Sequence, residues 1–182
     1  MRQFYLDTNV FISSIKPDDA YHLDARAIAR SLGEGEVQAE TSVLSLLEIA
    51  SVSSRLHRAK RGEKGANEKR AAFAIKALRR FASLRVKFIH VAGDSPLAVR
   101  GVQANMPSIF NEAILLSLQT ALRTLDLIHL AAARYAKQMN GELGAFVTGD
   151  EGFLSQRGEL SKILGMPILS PKEYTKALGL RV

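Results

Sequence analysis

An apolar run that stops at an acid opens this chain: Phe4-Tyr5-Leu6, then Asp7, then the turn and cap residues Thr8 and Asn9 ahead of Val10-Phe11-Ile12. Read by period, this is a short strand, an acid at its carboxyl end and a helix. The alternation recurs. Val37 to Glu40 predicts a second strand before the cap residues Thr41 and Ser42, and Val86 to Val91 has the alternation and β-branched content of a third. Gly144 to Thr148 reads as a buried strand running into Asp150, and Pro167 to Ser170 as a short last one. Helical stretches lie between. Asp24 to Leu32 should end at Gly33, Glu48 falls inside the next helix, a basic helix follows from about Glu68 to Leu84, and Asp94 and Pro96 should begin another helical piece. The run from Ile109 to Leu118 is apolar on more than one face, as in a buried helix or an interface. Thr124 can cap a helix with Leu125, Ile128, Ala132, Tyr135, Ala136 and Met139 along one stripe, which turns Asp126 and His129 away from the deepest core. The order predicts an α/β fold: a three-layer α/β/α sandwich around a mainly parallel sheet, with sites beyond the carboxyl ends of its strands.

At 182 residues and 47% hydrophobic content the chain can build one core, so a single domain over 1–182 is expected. No apolar run approaches the roughly 20 residues that span a bilayer. The opening residues are too few and too soon acidic for a signal peptide, so no membrane association and a cytoplasmic location are expected. With no cysteine, thiolate zinc sites, disulfides and thiol nucleophiles are excluded, and any metal must be held by oxygen or imidazole. The net charge of +7 is concentrated: residues 55 to 87 hold twelve Lys or Arg against Glu63 and Glu68. A basic helical region over about 55–84 suits a polyanion, because each cation that neutralises a phosphate releases counterions. A solvated helix face would carry the same pattern.

Four acids sit at or beside apolar segments: Asp7, Glu48, Asp126 and Asp150. Each has a bland explanation in helix capping, in the Ser45-to-Glu48 capping box, in a helix first turn or in the Gly149-Asp150-Glu151-Gly152 turn. A parallel sheet, however, could bring them together. Two carboxylates about 4 Å apart repel by roughly 4 kcal/mol at an effective dielectric of 20, so a cluster demands protonation or a cation. No positive charge is supplied nearby in the sequence. Mg²⁺ takes octahedral oxygen ligands and keeps several waters, and Mn²⁺ suits the same set.

Taken in order, Asp7-Thr8-Asn9, Ser42 to Glu48, Thr124 to Ala133 and Phe146 to Asp150 resemble the acidic motifs of PIN-domain ribonucleases, especially the VapC-type toxins. The resemblance covers nearly the whole chain. It implies a compact PIN-like α/β/α fold, Mg²⁺ or Mn²⁺ as cofactor, endonucleolytic cleavage of RNA, dimerisation, and a cognate antitoxin as partner. The chain is longer than a compact toxin of this kind, with the surplus in the basic region. On this reading Asp7, Asp126 and Asp150 surround the metal, while Glu48 holds a second ion or orients a water. Thr8, Asn9 and Thr148 are candidates to orient the carboxylates, and Arg55, Arg58, Arg79 and Arg80 to bind RNA. His129 invites assignment as a general base, but a lone imidazole on a helix is more often structural. The alternatives are an RNA-processing or noncatalytic RNA-binding PIN-domain protein and, further off, a haloacid-dehalogenase-like phosphohydrolase. The last would want an acid where Asn9 stands.

Overall fold

The computed structural model describes residues 2–56, 65–91, 93–96 and 104–182. In chain order it forms β1 (Gln3–Leu6), α1 (Thr8–Ile15), α2 (His22–Glu34), β2 (Gln38–Ser42), α3 (Leu44–Leu56), α4 (Ala66–Ala82), β3 (Val86–Ile89), β4 (Asp94–Pro96), β5 (Asn105–Pro107), α5 (Ser108–Ser117), α6 (Thr124–Met139), β6 (Phe146–Val147), α7 (Glu151–Ser155), α8 (Arg157–Leu164), β7 (Ile168–Leu169) and α9 (Pro171–Leu178). Five strands make one parallel sheet in the order β3-β2-β1-β6-β7. The expected α/β architecture is therefore present.

The period of two along the strands explains why the sheet is covered on both faces. On β1, Phe4 and Leu6 enter one core with Val10, Phe11, Ile28, Ile49 and Phe81, while Tyr5 enters the other with Leu116, Leu130, Phe153 and Leu160. On β6 and beside it, Ala145 and Val147 join the first core and Phe146 the second. One core thus packs α1 to α4 and α9 on one face, and the other packs α5 to α8 on the opposite face. The chain passes outward from β1 through β2 to β3 and then returns to the other side of β1 with β6. The reversal makes the ends of β1 and β6 a topological switch point, the usual place for a ligand in such sheets.

Several expected elements shift. Asp94–Pro96 is not the start of a helix; it pairs antiparallel with Asn105–Pro107 as a two-stranded ribbon. Proline is tolerated in so short an edge pair because few ladder bonds are asked of it, and Asn111 on α5 ties the ribbon down by donating to Ser95 Oγ at 2.9 Å and Pro96 O at 2.8 Å. Helix α2 runs past Gly33 and ends at Gly35, which takes a left-handed φ of 78°. A Cβ there would also run into the Arg85 guanidinium. Thr41 and Ser42 belong to β2 rather than preceding the helix as its caps, and Thr124 is the first residue of α6, with Arg123 at its N-cap.

The stripe expected on α6 is overturned. Leu125 is 47% and Met139 72% exposed, whereas every residue from Leu127 to Ala133 is buried, His129 among them. α5 and α8 also pack on α6, so a wider arc of its surface is covered than one stripe, and the small Ala131-Ala132-Ala133 run lets them approach. The basic helix α4 is buried through Ala74, Ala77 and Phe81 and exposes Arg79 and Arg80; Arg55 is exposed on α3. Arg58 lies outside the described residues.

Candidate active site

Strand ends and helix starts bring three of the four acids to the switch point. Asp7 follows β1 and is the N-cap residue of α1, Asp150 follows β6 and is the N-cap of α7, and Asp126 lies in the first turn of α6. Glu48 comes in from the second turn of α3. The register sets the first contact: Leu6 pairs with Val147, and the Asp7 N–H donates to Val147 O at 3.1 Å.

Asp7 is 5% exposed, and its carboxylate is held through one oxygen. Thr148 Oγ donates to Asp7 Oδ2 at 2.6 Å and Asn9 Nδ2 donates to the same atom at 2.7 Å. Asn9 Nδ2 also donates to Thr148 Oγ at 3.0 Å, and its Oδ1 accepts the Gly149 N–H at 2.8 Å. Thr148 Oγ further accepts the Asp150 N–H at 3.0 Å. Thr148 and Asn9 therefore weld the end of β1 to the end of β6, with each hydrogen assigned to one acceptor. Asp150 caps α7 by accepting the Gly152 N–H at 2.7 Å, so its turn role is real as well. A Cβ on residue 152 would stand 2.8 Å from that carboxylate oxygen, so a larger residue there would push the Asp150 carboxylate aside.

Glu48 belongs to a second network. Its Oε2 accepts from Thr8 Oγ at 2.6 Å and bonds His129 Nε2 at 2.7 Å. The other ring nitrogen, Nδ1, lies 2.8 Å from the Tyr5 hydroxyl, which accepts the Ser42 N–H at 3.2 Å. Thr8 has one hydroxyl hydrogen and a carboxylate can only accept, so that hydrogen serves Glu48 and the 2.8 Å contact between Thr8 Oγ and Ser45 Oγ is filled by the serine. Thr41 Oγ lies 2.7 Å from Ser45 Oγ.

The electrostatics differ between the two networks. Burial pushes the Asp7 carboxyl above the usual carboxylate range, and nearby Glu48 adds to this, against the opposing pull of His129 and the Thr148 bond. Burial also raises Asp126, reinforced by the charges of Asp150 and Asp7. Glu48 goes the other way: burial opposes its ionisation, but the bond and charge of His129 and the Thr8 hydroxyl outweigh it and hold the carboxyl below its usual value. Burial lowers His129, yet the Glu48 bond and the charges of Asp7, Glu48 and Asp126 carry it above the ordinary histidine value. The expectation that nothing positive stands near the acids is thus corrected for Glu48, which has His129. Among the described residues no Lys or Arg pairs with any of the four; Lys87, Arg134 and Arg157 pair with Glu40, Glu112 and Glu173.

Such a donor set fits a hard divalent cation: all oxygen, mutually repelling, and short of positive charge. Among the described residues no group of three or more acidic or histidine side chains is arranged to hold a metal ion by itself. The chemistry that fits is an ion held by few carboxylates and keeping its own waters. Position 9 is an amide donor to Asp7 and offers no second acid of the phosphohydrolase kind.

Sequence reasoning singled out the acids, Thr8, Asn9 and Thr148, and passed over Tyr5, Thr41, Ser42 and Ser45. A tyrosine in a buried strand reads as core. The signal that could have found the others is the recurrence of small hydroxyl residues in otherwise apolar segments. The sequence profile of the PIN domain matches residues 4–158. No curated protein matches the chain.

Proposed function

Because the chain belongs to the PIN domain family, whose members are mostly metal-dependent nucleases, we propose that it is a Mg²⁺- or Mn²⁺-dependent endoribonuclease. It acts as one domain over residues 1–182 and serves as the toxin of a toxin–antitoxin pair. One observation carries the nuclease reading: Asp7 after β1, Asp150 after β6 and Asp126 in the first turn of α6 stand at the topological switch point, with no Lys or Arg paired to them among the described residues.

Asp7, Asp126 and Asp150 would hold the cation, directly or through water, and Glu48 would take a second ion or orient the attacking water. A divalent ion bound there supplies Lewis acidity, lowering the pKa of water and offsetting charge on the phosphoryl group and the leaving 3′ oxygen. Thr148 and Asn9 keep Asp7 in place and Thr8 does so for Glu48. Arg55, Arg79 and Arg80 face outward and would steer the phosphate backbone without reading bases. Arg58 is proposed with them. The products would carry 5′-phosphates. The partners are RNA, an antitoxin chain and a second copy, for which Val43 and Leu47, exposed around the start of α3, offer apolar surface.

The test is incubation of RNA with wild type and Asp7→Asn, with Mg²⁺, with Mn²⁺ and in chelator, reading the product ends. Metal-dependent cleavage by wild type alone, leaving 5′-phosphates, is expected. Equal cleavage by both proteins, or cleavage that persists in chelator, sinks the metal site. Binding without cleavage would favour a noncatalytic RNA-binding protein.

A further inference from the structure

His129 is the one strongly polar side chain on the buried face of α6, and it meets three other elements directly and a fourth through Tyr5. Its Nε2 lies on Glu48 of α3, its Nδ1 on Tyr5 of β1, Thr8 of α1 stands 3.4 Å from Nε2, and the Ser42 N–H that closes the network comes from β2. At 2% exposure and with both nitrogens engaged, the ring has no path to an RNA hydroxyl, which removes it as a general base acting on substrate. Tyr5 itself is rigid. It is fully buried, stacks on Phe146 with ring centroids 5.0 Å apart and planes at 10°, and meets the imidazole edge-on.

We propose that His129 is a positioning residue for Glu48, and that Tyr5 fixes the ring that does the positioning. Both hydrogen bonds to the Glu48 carboxylate fall on Oε2, and among the described residues none reaches Oε1. Thr8 and His129 thus clamp one oxygen from two sides, which sets the carboxylate plane and leaves Oε1 to serve the ion or the water. Thr8 does for Glu48 what Thr148 does for Asp7, and His129 with Tyr5 takes the place of Asn9, so each of two acids on adjoining elements is held through one oxygen by a hydroxyl and a nitrogen donor. A carboxylate left to rotate loses its preorganisation, and removing the group that orients it typically costs about 10- to 100-fold in metal affinity or activity. This inference rests on the nuclease reading above.

The experiment compares wild type, His129→Leu, His129→Gln, Tyr5→Phe and the His129→Leu/Tyr5→Phe double variant. Mn²⁺ affinity is read directly by electron paramagnetic resonance on protein kept well below its melting temperature, alongside kcat on RNA. The leucine keeps the packing and loses both polar atoms, while the glutamine amide can still donate to Glu48. Expected are a fall of about 10- to 100-fold in Mn²⁺ affinity or kcat for His129→Leu, a smaller fall for Tyr5→Phe, partial recovery in His129→Gln, and a double variant no worse than His129→Leu alone. A merely structural histidine would lower the melting temperature while leaving the folded protein's Mn²⁺ affinity and kcat at wild-type values, and its effects would add to those of Tyr5→Phe. Either result overturns the proposal. If His129→Leu does not fold, His129→Gln and Tyr5→Phe matching wild type in both readouts has the same force. Wild-type protein that neither binds Mn²⁺ nor cleaves RNA overturns the nuclease reading, and this proposal with it.

Discussion

Replacing Thr148 with valine keeps the shape of a fully buried side chain and removes one hydroxyl that serves three partners. Two losses dominate. The 2.6 Å bond to Asp7 has an ionised acceptor and is worth about 1.5–3 kcal/mol. The Asp150 N–H loses its acceptor, at about 1–3 kcal/mol if it finds no water, while Asn9 keeps its bond to Asp7. Together they predict a destabilisation of about 2.5–6 kcal/mol near pH 7, a large share of the roughly 5–15 kcal/mol that holds a domain together. The first loss depends on pH. Burial raises the folded pKa of Asp7 above its unfolded value, so this group favours the folded state at low pH, and that advantage is lost as pH rises from the unfolded towards the folded pKa. The Thr148 hydroxyl pulls the folded pKa down, so its removal steepens this decline. Below the folded pKa Asp7 is protonated and the charge-assisted portion disappears, leaving the cost of the orphaned amide. Urea unfolding in chelator at about pH 7 and in acid below the folded pKa of Asp7 should therefore show a difference that shrinks in acid by the charge-assisted part alone, about 1 kcal/mol, with Thr148→Ser close to wild type at both. A loss under about 1 kcal/mol at pH 7, or the same loss at both pH values, would refute the reasoning.

Asp126→Asn should leave the metal-free protein at least as stable as wild type at pH 7, because it removes a charge that burial, Asp150 and Asp7 all disfavour, and it should abolish cleavage; thermal melts in chelator beside RNA assays check both. Mn²⁺ at about 100 times its dissociation constant should stabilise wild type by about 2.7 kcal/mol, seen as a higher Tm, and should do far less for Asp7→Asn. Replacing Arg79 and Arg80 by alanine should weaken RNA binding and flatten its log–log salt dependence by about 1.4 if each touches one phosphate. An unchanged slope across several salt concentrations would remove them from the RNA footprint.

Strand positions were legible because β1 and β6 alternate between two cores, so their apolar runs and their terminal acids follow from local period alone. The acids were legible for the same reason: Asp7 and Asp150 end strands, and strand ends gather at one edge of a parallel sheet. The errors have a common physical source. The α6 stripe failed because α5 and α8 cover the helix beyond the single face that a hydrophobic period reports. The strand at Asp94–Pro96 was hidden because a three-residue ribbon has no period to read, and its partner comes nine residues later. His129 was placed outside the core because an imidazole buried at 2% needs partners on both nitrogens, and those come from Tyr5 and Glu48, which lie 124 and 81 residues away.

The two networks divide the acids by what offsets their charge. Glu48 has an imidazole at 2.7 Å and a carboxyl below its usual range, so it is ionised at any working pH without help. Asp7 and Asp126 have no such cation bonded to them among the described residues, and burial with neighbouring acids holds both above their usual range. A cation gains most from the carboxylates whose charge is least offset by the protein, since its binding also relieves their repulsion. The free energy of ion binding should therefore be drawn mainly from Asp7 and Asp126, while Glu48, bonded to its own histidine, contributes orientation more than attraction. Charge removal at Asp7 or Asp126 should accordingly weaken Mn²⁺ binding more than Glu48→Gln does, whereas Glu48→Gln should depress kcat more than it depresses Mn²⁺ affinity. The reverse order in a direct Mn²⁺ titration would mean that Glu48 is the principal ligand and that His129 tunes its charge rather than its direction.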